Sequence, residues 1–226
     1  MTYGSDNRVT LDAVRAFGPA ARGIAIVDAG VTDHALDELH SAGIRGARFN
    51  FNFAPTPSMA DVVMLAPRLV ERGWHVQLGM RSDRIVAEES TLRSLPGHIV
   101  LEHCAGISAS GSCRQDRAYR IVMDRLESGR FWVKLSGPYL REPGGAPDYP
   151  LLRPYVQDLI AQAPDRLVWG SDWPHPSETS KPDDVMLVDV MSDWLGSDAL
   201  RSRIFVKNPE TLYGFPSWAK EGSGSC

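Results

Sequence analysis

The stretch LVWGSDWPHP, residues 167–176, reads as an apolar strand that runs into an acid. Leu167, Val168 and Trp169 are apolar at successive positions, the pattern of a parallel strand covered on both faces. Asp172 ends the run, Pro174 turns the chain, and His175 follows three residues after the acid. Five other stretches share this pattern: GIAIVD (23–28), GARFNF (46–51), HVQLG (75–79), HIVLEH (98–103) and FWVKLS (131–136). Between them lie segments with apolar residues at helical spacing, such as 33–42 and 58–72, closed by Gly43, Gly73 and Pro96-Gly97. Strands alternating with helices predict parallel βα units. Polar residues collect where the strands end: Asp28, Arg48 with Asn50, Gln77, Glu102 with His103, Lys134 with Ser136, and Asp172. In a (β/α) barrel that end is the face on which active sites are built. A complete barrel has eight units and about 250 residues. Only six strands are legible, so the expected fold is a (β/α)8 TIM-barrel type shortened at its N-terminal side to about six units. Residues 1–219 are expected to form one domain and 220–226, which include the small-residue run EGSGSC, a flexible tail.

The 226 residues, 43% of them hydrophobic, suffice for a large buried core, and a formal charge of -4 offers no basic surface for nucleic acid. No apolar run approaches the roughly 20 residues of a membrane span, and residues 1–8 lack the pattern of a secretory leader. A cytoplasmic location is therefore expected. The three cysteines make no CxxC pair, and Cys104 reads as a small core residue. There is no GxGxxG, GxxxxGK[ST], serine elbow or HExxH motif.

Asp172 is the first candidate for chemistry, as a general base toward water or as a metal ligand, with helix or turn capping as its structural alternative. His103 stands at another strand end and could polarise a carbonyl, ligate a metal or pair with Asp172. Arg48 could hold a substrate carboxylate in its planar fork, or form a structural ion pair with a neighbouring acid. Lys134 and Tyr139 are weaker candidates for the same mouth. His34, His40, His75 and His98 lie at helix or strand-start positions and read as structural.

Taken in order, GIRGARFNF, GWHVQL, HIVLEHCAG, FWVKLSG, LVWGSDWPHP and the closing NPETLYGF resemble the amidohydrolase-related family, amidohydrolase family 2, and within it the 2-pyrone-4,6-dicarboxylate lactonase branch. The resemblance extends over residues 3–215. It implies a distorted barrel whose last strand supplies a catalytic acid, matched by Asp172, with a histidine matched by His103. It also implies substrate contacts at the positions of Arg48 and His175, and chemistry without a metal, although related members use zinc or manganese. Several positions depart from the branch. The initial H-x-H strand is missing, Ala54 replaces a second arginine, Gly79 stands where a tyrosine occurs, and a further arginine is displaced to Arg141 or lost.

The first expectation is a hydrolase of small carboxylated lactones with Asp172 and His103 catalytic and Arg48, His175, Arg141 and Tyr139 binding substrate, no cofactor being required. The second is a metal-dependent decarboxylase or amidohydrolase with His103 and Asp172 as zinc or manganese ligands. The third is an inactive shortened barrel that hides its open edges in a homo-oligomer or with a partner.

Overall fold

The computed structural model describes residues 3–54, 56–109 and 113–216. The expected tail, 220–226, lies outside them. Six parallel strands form one sheet in sequence order: β1 Gly23–Ala25, β2 Ile44–Asn50, β3 His75–Gly79, β4 Ile99–Leu101, β5 Phe131–Leu135 and β6 Leu167–Trp169. All six stretches read from the sequence are present. Several are shorter than their apolar-plus-polar pattern, because β1, β4 and β6 leave the ladder before their terminal polar residues, which then build the mouth. A half-barrel with helices outside it results. Among the described residues β1 and β6 do not pair, so an eight-unit closed barrel is not formed.

The register sorts residues by parity. Gly46 pairs with His75 and Arg48 with Gln77; Gln77 pairs with Val100, Val100 with Trp132, and Lys134 with Val168. These positions share one face, the concave interior. The alternate set, including Ala47, Phe49, Val76, Leu78, Leu101 and Val133, faces the helices and forms the main core. Helix α1 spans Arg8–Phe17, α2 Asp33–Ser41 and α3 Met59–Val70, the last two matching the segments expected from periodicity. Ser58 caps α3 by accepting from the Ala60 N–H, and Met59, Val62, Leu65, Ala66 and Leu69 make its buried stripe.

The floor of the half-barrel is a small separate cluster of Val100, Trp132, Val168 and Leu212, with Tyr213 against it. The helix Asn208–Tyr213 thus plugs the end opposite the mouth. Two asparagines cover the open edges. The Asn7 amide donates to the Ile26 carbonyl and accepts from the Ile26 N–H, both at 2.9 Å, as a neighbouring strand would. The Asn208 amide donates to the Leu167 carbonyl at 2.6 Å. Backbone groups left bare there would favour association with another chain.

The four histidines read as structural behave so. His34 is exposed beside Glu38, His40 accepts from Trp74 Nε1 at 3.0 Å, and His98 accepts from Trp132 Nε1 at 3.4 Å. His75 is buried at the floor against the Tyr213 ring, and neither ring nitrogen has a hydrogen-bond partner among the described residues. Burial lowers its pKa from 6.5 to about 4. The unfolded chain therefore binds a proton between those values that the folded chain refuses, and stability falls as pH drops through that window. Urea unfolding of the wild type is expected to lose about 3 kcal/mol from this group between pH 6.5 and pH 4. In His75→Leu the slope between pH 6.5 and 4.5 flattens.

Candidate active site

At the centre of the interior face lies a buried carboxylate. Glu102 follows β4 directly and receives Arg48 Nε at 2.7 Å and Arg48 Nη2 at 2.8 Å, a two-pronged pair, with the Gln77 amide as a third donor. Burial would raise the Glu102 carboxyl, but the Arg48 charge and hydrogen bonds outweigh it and hold the group below its ordinary value. Arg48 is raised in turn, the Glu102 charge overcoming desolvation. The structural alternative for Arg48 is thus the arrangement found, the Nε and Nη2 edge of its guanidinium being taken by Glu102. The same cluster explains a departure from the lactonase pattern. A Cβ at Gly79 would lie 2.7 Å from Glu102 Oε2 and 3.0 Å from Asn50 Oδ1, so no side chain fits there.

Nearer the mouth, Asp172 is gripped from behind. The Tyr139 hydroxyl donates to Asp172 Oδ2 at 2.7 Å and lies 2.8 Å from His175 Nδ1, while His175 Nε2 lies 3.1 Å from Asp184 Oδ1. A phenol has one proton to donate. With it on Asp172, the Tyr139 oxygen is left as the acceptor for His175 Nδ1, and His175 Nε2 lies against Asp184. Burial and the Asp172 contact raise the Tyr139 pKa, so the phenol stays protonated. Tyr139 and His175, expected to touch substrate, are both buried behind the acid and bond it or each other.

Asp172 Oδ1 faces His103 Nε2 at 3.9 Å, and Ser136 Oγ lies 3.0 Å from His103 Nδ1. Burial lowers the His103 pKa despite the nearby Glu102 and Asp172 charges, which favours the neutral ring. A hydroxyl proton from Ser136 on Nδ1 leaves the hydrogen on Nε2, aimed into the mouth. The backbone is strained where these groups are set. His103, Cys104 and Ala105 adopt φ of 50°, 53° and 53°, and Asp172 and His175 adopt 68° and 53°, all left-handed. For residues with a Cβ such angles cost about 1 kcal/mol or more each. Cys104, buried as expected, has its thiol pushed up to about 12 by burial and is chemically quiet.

A cavity of about 1020 Å³ opens over this floor, walled by Arg48, His103, Asp172 and Arg141, and by Arg81, which the sequence reading missed. Lys134 lies lower, its chain passing close to Gly170. For a metal, His103 Nε2 and Asp172 Oδ1 are the two donors in reach, but Tyr139 holds the other Asp172 oxygen. Among the described residues no three His, Cys, Asp or Glu side chains converge, whereas catalytic zinc takes three protein ligands. The described residues do not supply the three protein ligands of a catalytic zinc.

Parallel strands whose carboxyl ends bring an acid, an imidazole and arginines to one cavity form a half-barrel of the (β/α) kind. The amidohydrolase family model matches residues 1–215, and the chain belongs to that family of hydrolases. It is 29% identical to the 2-pyrone-4,6-dicarboxylate hydrolase of Comamonas testosteroni over 97% of this chain and 74% of that protein. To the 4-sulfomuconolactone hydrolase of Hydrogenophaga intermedia it is 31% identical, over 94% and 71%. A crystal structure of an Agrobacterium tumefaciens protein in its apo form superposes with a TM-score of 0.84 at 27% identity, over 94% of this chain and 75% of that one. No helix among the described residues is long and apolar enough to cross a membrane.

Replacing Glu102 by Gln removes the charge that compensates Arg48 and leaves a partly buried cation alone. The variant is expected to be about 3 kcal/mol less stable than the wild type in urea unfolding at pH 7. A change below 0.5 kcal/mol would show that the pair does not support the half-barrel.

Proposed function

We propose that this chain hydrolyses small carboxylated lactones, Asp172 acting as general base toward water and His103 as the group that polarises the carbonyl. The observation that carries this reading is the division of the Asp172 carboxylate. Oδ2 is held by Tyr139, and Oδ1 faces the Nε2 of a neutral His103 across 3.9 Å. That spacing is too long for a hydrogen bond between the two and leaves their inner edges directed at the mouth. The names of the two hydrolase relatives support the substrate class.

In the reaction, a water on Oδ1 loses a proton to Asp172 as its oxygen bonds to the lactone carbonyl carbon. His103 Nε2–H donates to the carbonyl oxygen, where negative charge develops. Collapse of the tetrahedral intermediate breaks the ring C–O bond, and the ring oxygen recovers the proton from Asp172. Tyr139, with His175 and Asp184 behind it, positions the base and keeps Oδ2 from rotating into the water site.

Asp172→Asn retains the shape and the Tyr139 contact but removes the base. It is expected to lower kcat by at least about a hundredfold on a panel of carboxylated pyrones and muconolactones followed by ring-opening absorbance. Wild-type turnover by Asp172→Asn would overturn the assignment of the base, and failure of the wild type to open any lactone of the panel would overturn the reaction class.

A further inference from the structure

We infer that two copies of this chain associate in solution through the outer face of α3, the two helices lying antiparallel across a two-fold axis between Val63 and Met64. The inference is independent of the lactonase reading. Helix α3 packs on β2 and β3 from the outside and contributes no residue to the cavity wall.

A helix on the outside of a barrel needs one apolar stripe, and α3 has two. Met59, Val62, Leu65, Ala66 and Leu69 are buried against the sheet. On the opposite side its solvent-exposed positions are Ala60, Val63, Met64 and Pro67, spaced i, i+3, i+4 and i+7, and none is polar. Val63 and Met64 are 44% and 49% exposed. Other helices of similar length differ: α1 exposes Asp12 and Arg15, α2 exposes Asp37 and Glu38, and the helix Arg117–Glu127 exposes Arg120 and Asp124. Long basic side chains ordinarily shield such a stripe with their stems, but the two within reach are drawn away. Arg68 bonds the Asp33 carboxylate at 3.0 Å and the Val31 carbonyl at 2.8 Å, and Arg72 bonds Asp37 at 2.7 Å, so both are tied to α2 and the residue just before it. A helix apolar on both sides belongs inside an assembly.

The stripe and its flanking charges select a second copy as the occupant. The spacing reads the same in both directions, so an antiparallel copy sets Ala60 opposite Pro67 and Val63 opposite Met64. The smaller residues stand at the ends and the larger ones in the middle, where the flexible Met64 side chain fills what the stiffer Val63 leaves. The charges fit the same arrangement. Glu71 stands at the C-terminal end of α3, where the helix dipole is negative, and has no ion pair among the described residues. Antiparallel pairing lays it over the N-terminal turn of the second helix, where an acid is favoured. Asp61, likewise without an ion pair among the described residues, comes toward Arg68 of the second copy. Parallel pairing would instead bring Asp61 to Asp61 and Arg68 to Arg68. One helix pair covers less than the roughly 1,600 Å² of a standard interface, so the dimer is a weak one, with a Kd of about 10 μM.

Sedimentation velocity on the full chain, from about 1 to about 200 μM, is expected to show the mass moving from that of one chain toward that of two. Met64→Glu and Val63→Lys, each at an exposed position, are expected to raise Kd at least about tenfold while leaving the urea midpoint unchanged. Two variants of opposite charge guard against one of them failing to fold. The orientation is read by cross-linking with a short bismaleimide. Met64→Cys, beside the axis, is expected to join copy to copy above the wild-type background. Glu71→Cys, about 22 Å along the helix from its counterpart in the antiparallel pair, is not. A wild type that stays monomeric throughout the range overturns the inference. So does a dimer that both charged variants leave intact, which would place the contact on another face, such as the open sheet edges. Cross-linking of Glu71→Cys as strong as that of Met64→Cys overturns the antiparallel arrangement.

Discussion

A carboxylate with no solvent around it governs the interior of this half-barrel. Glu102 is tolerated because Arg48 from β2, Gln77 from β3 and its own position after β4 place three donors around it. A buried ion of this kind is unstable unless its partners are fixed, and the partners here are fixed by strand register, since Arg48 and Gln77 pair directly across the ladder. Several features follow from that one constraint. His103 is the next residue, so its ring is aimed by the same turn. Gly79 must lack a side chain to leave room for Oε2. Arg48 is neutralised by Glu102 along its Nε and Nη2 edge while still bordering the cavity.

Strain is concentrated in the residues around the proposed chemistry. The run from His103 to Gly106 and the positions of Asp172 and His175 all adopt left-handed backbone, while the strands beneath them are regular. Such angles persist only where neighbouring contacts over-determine them. Here those contacts are visible: Ser136 on the His103 ring, Tyr139 on Asp172, Asp184 on His175, and the double acceptance at the Gly106 carbonyl. The ladder supplies rigidity, and the strained turns convert it into direction for two side chains.

The strands were legible because fully covered parallel strands are apolar on both faces, and the interior polar residues stood out as interruptions of that rule. The helices α2 and α3 were legible from their periodicity and caps. Asp172 and His103 could be placed from their strand ends. What sequence could not show is which partner each would take. Arg48 had two readings that differ only in whether an acid lies opposite, and Glu102 is 54 residues away. Tyr139 meets Asp172 across 33 residues and by way of a left-handed turn that leaves no signature. Arg81 sits in a loop with no period, and it reaches the cavity wall only through the fold. The edge covering by Asn7 was invisible for a related reason, since a side-chain amide imitates a strand without any strand pattern.

The empty position at Gly79 couples two sites in mutational space. Because the missing Cβ and Oε2 of Glu102 compete for one volume, a side chain can enter at residue 79 only after the acid has left. Removal of the acid alone strands Arg48, and insertion of the side chain alone collides with the acid. The two positions are therefore coupled, the condition for non-additivity between neighbours. A change of pocket shape at residue 79 thus carries a change of buried charge with it.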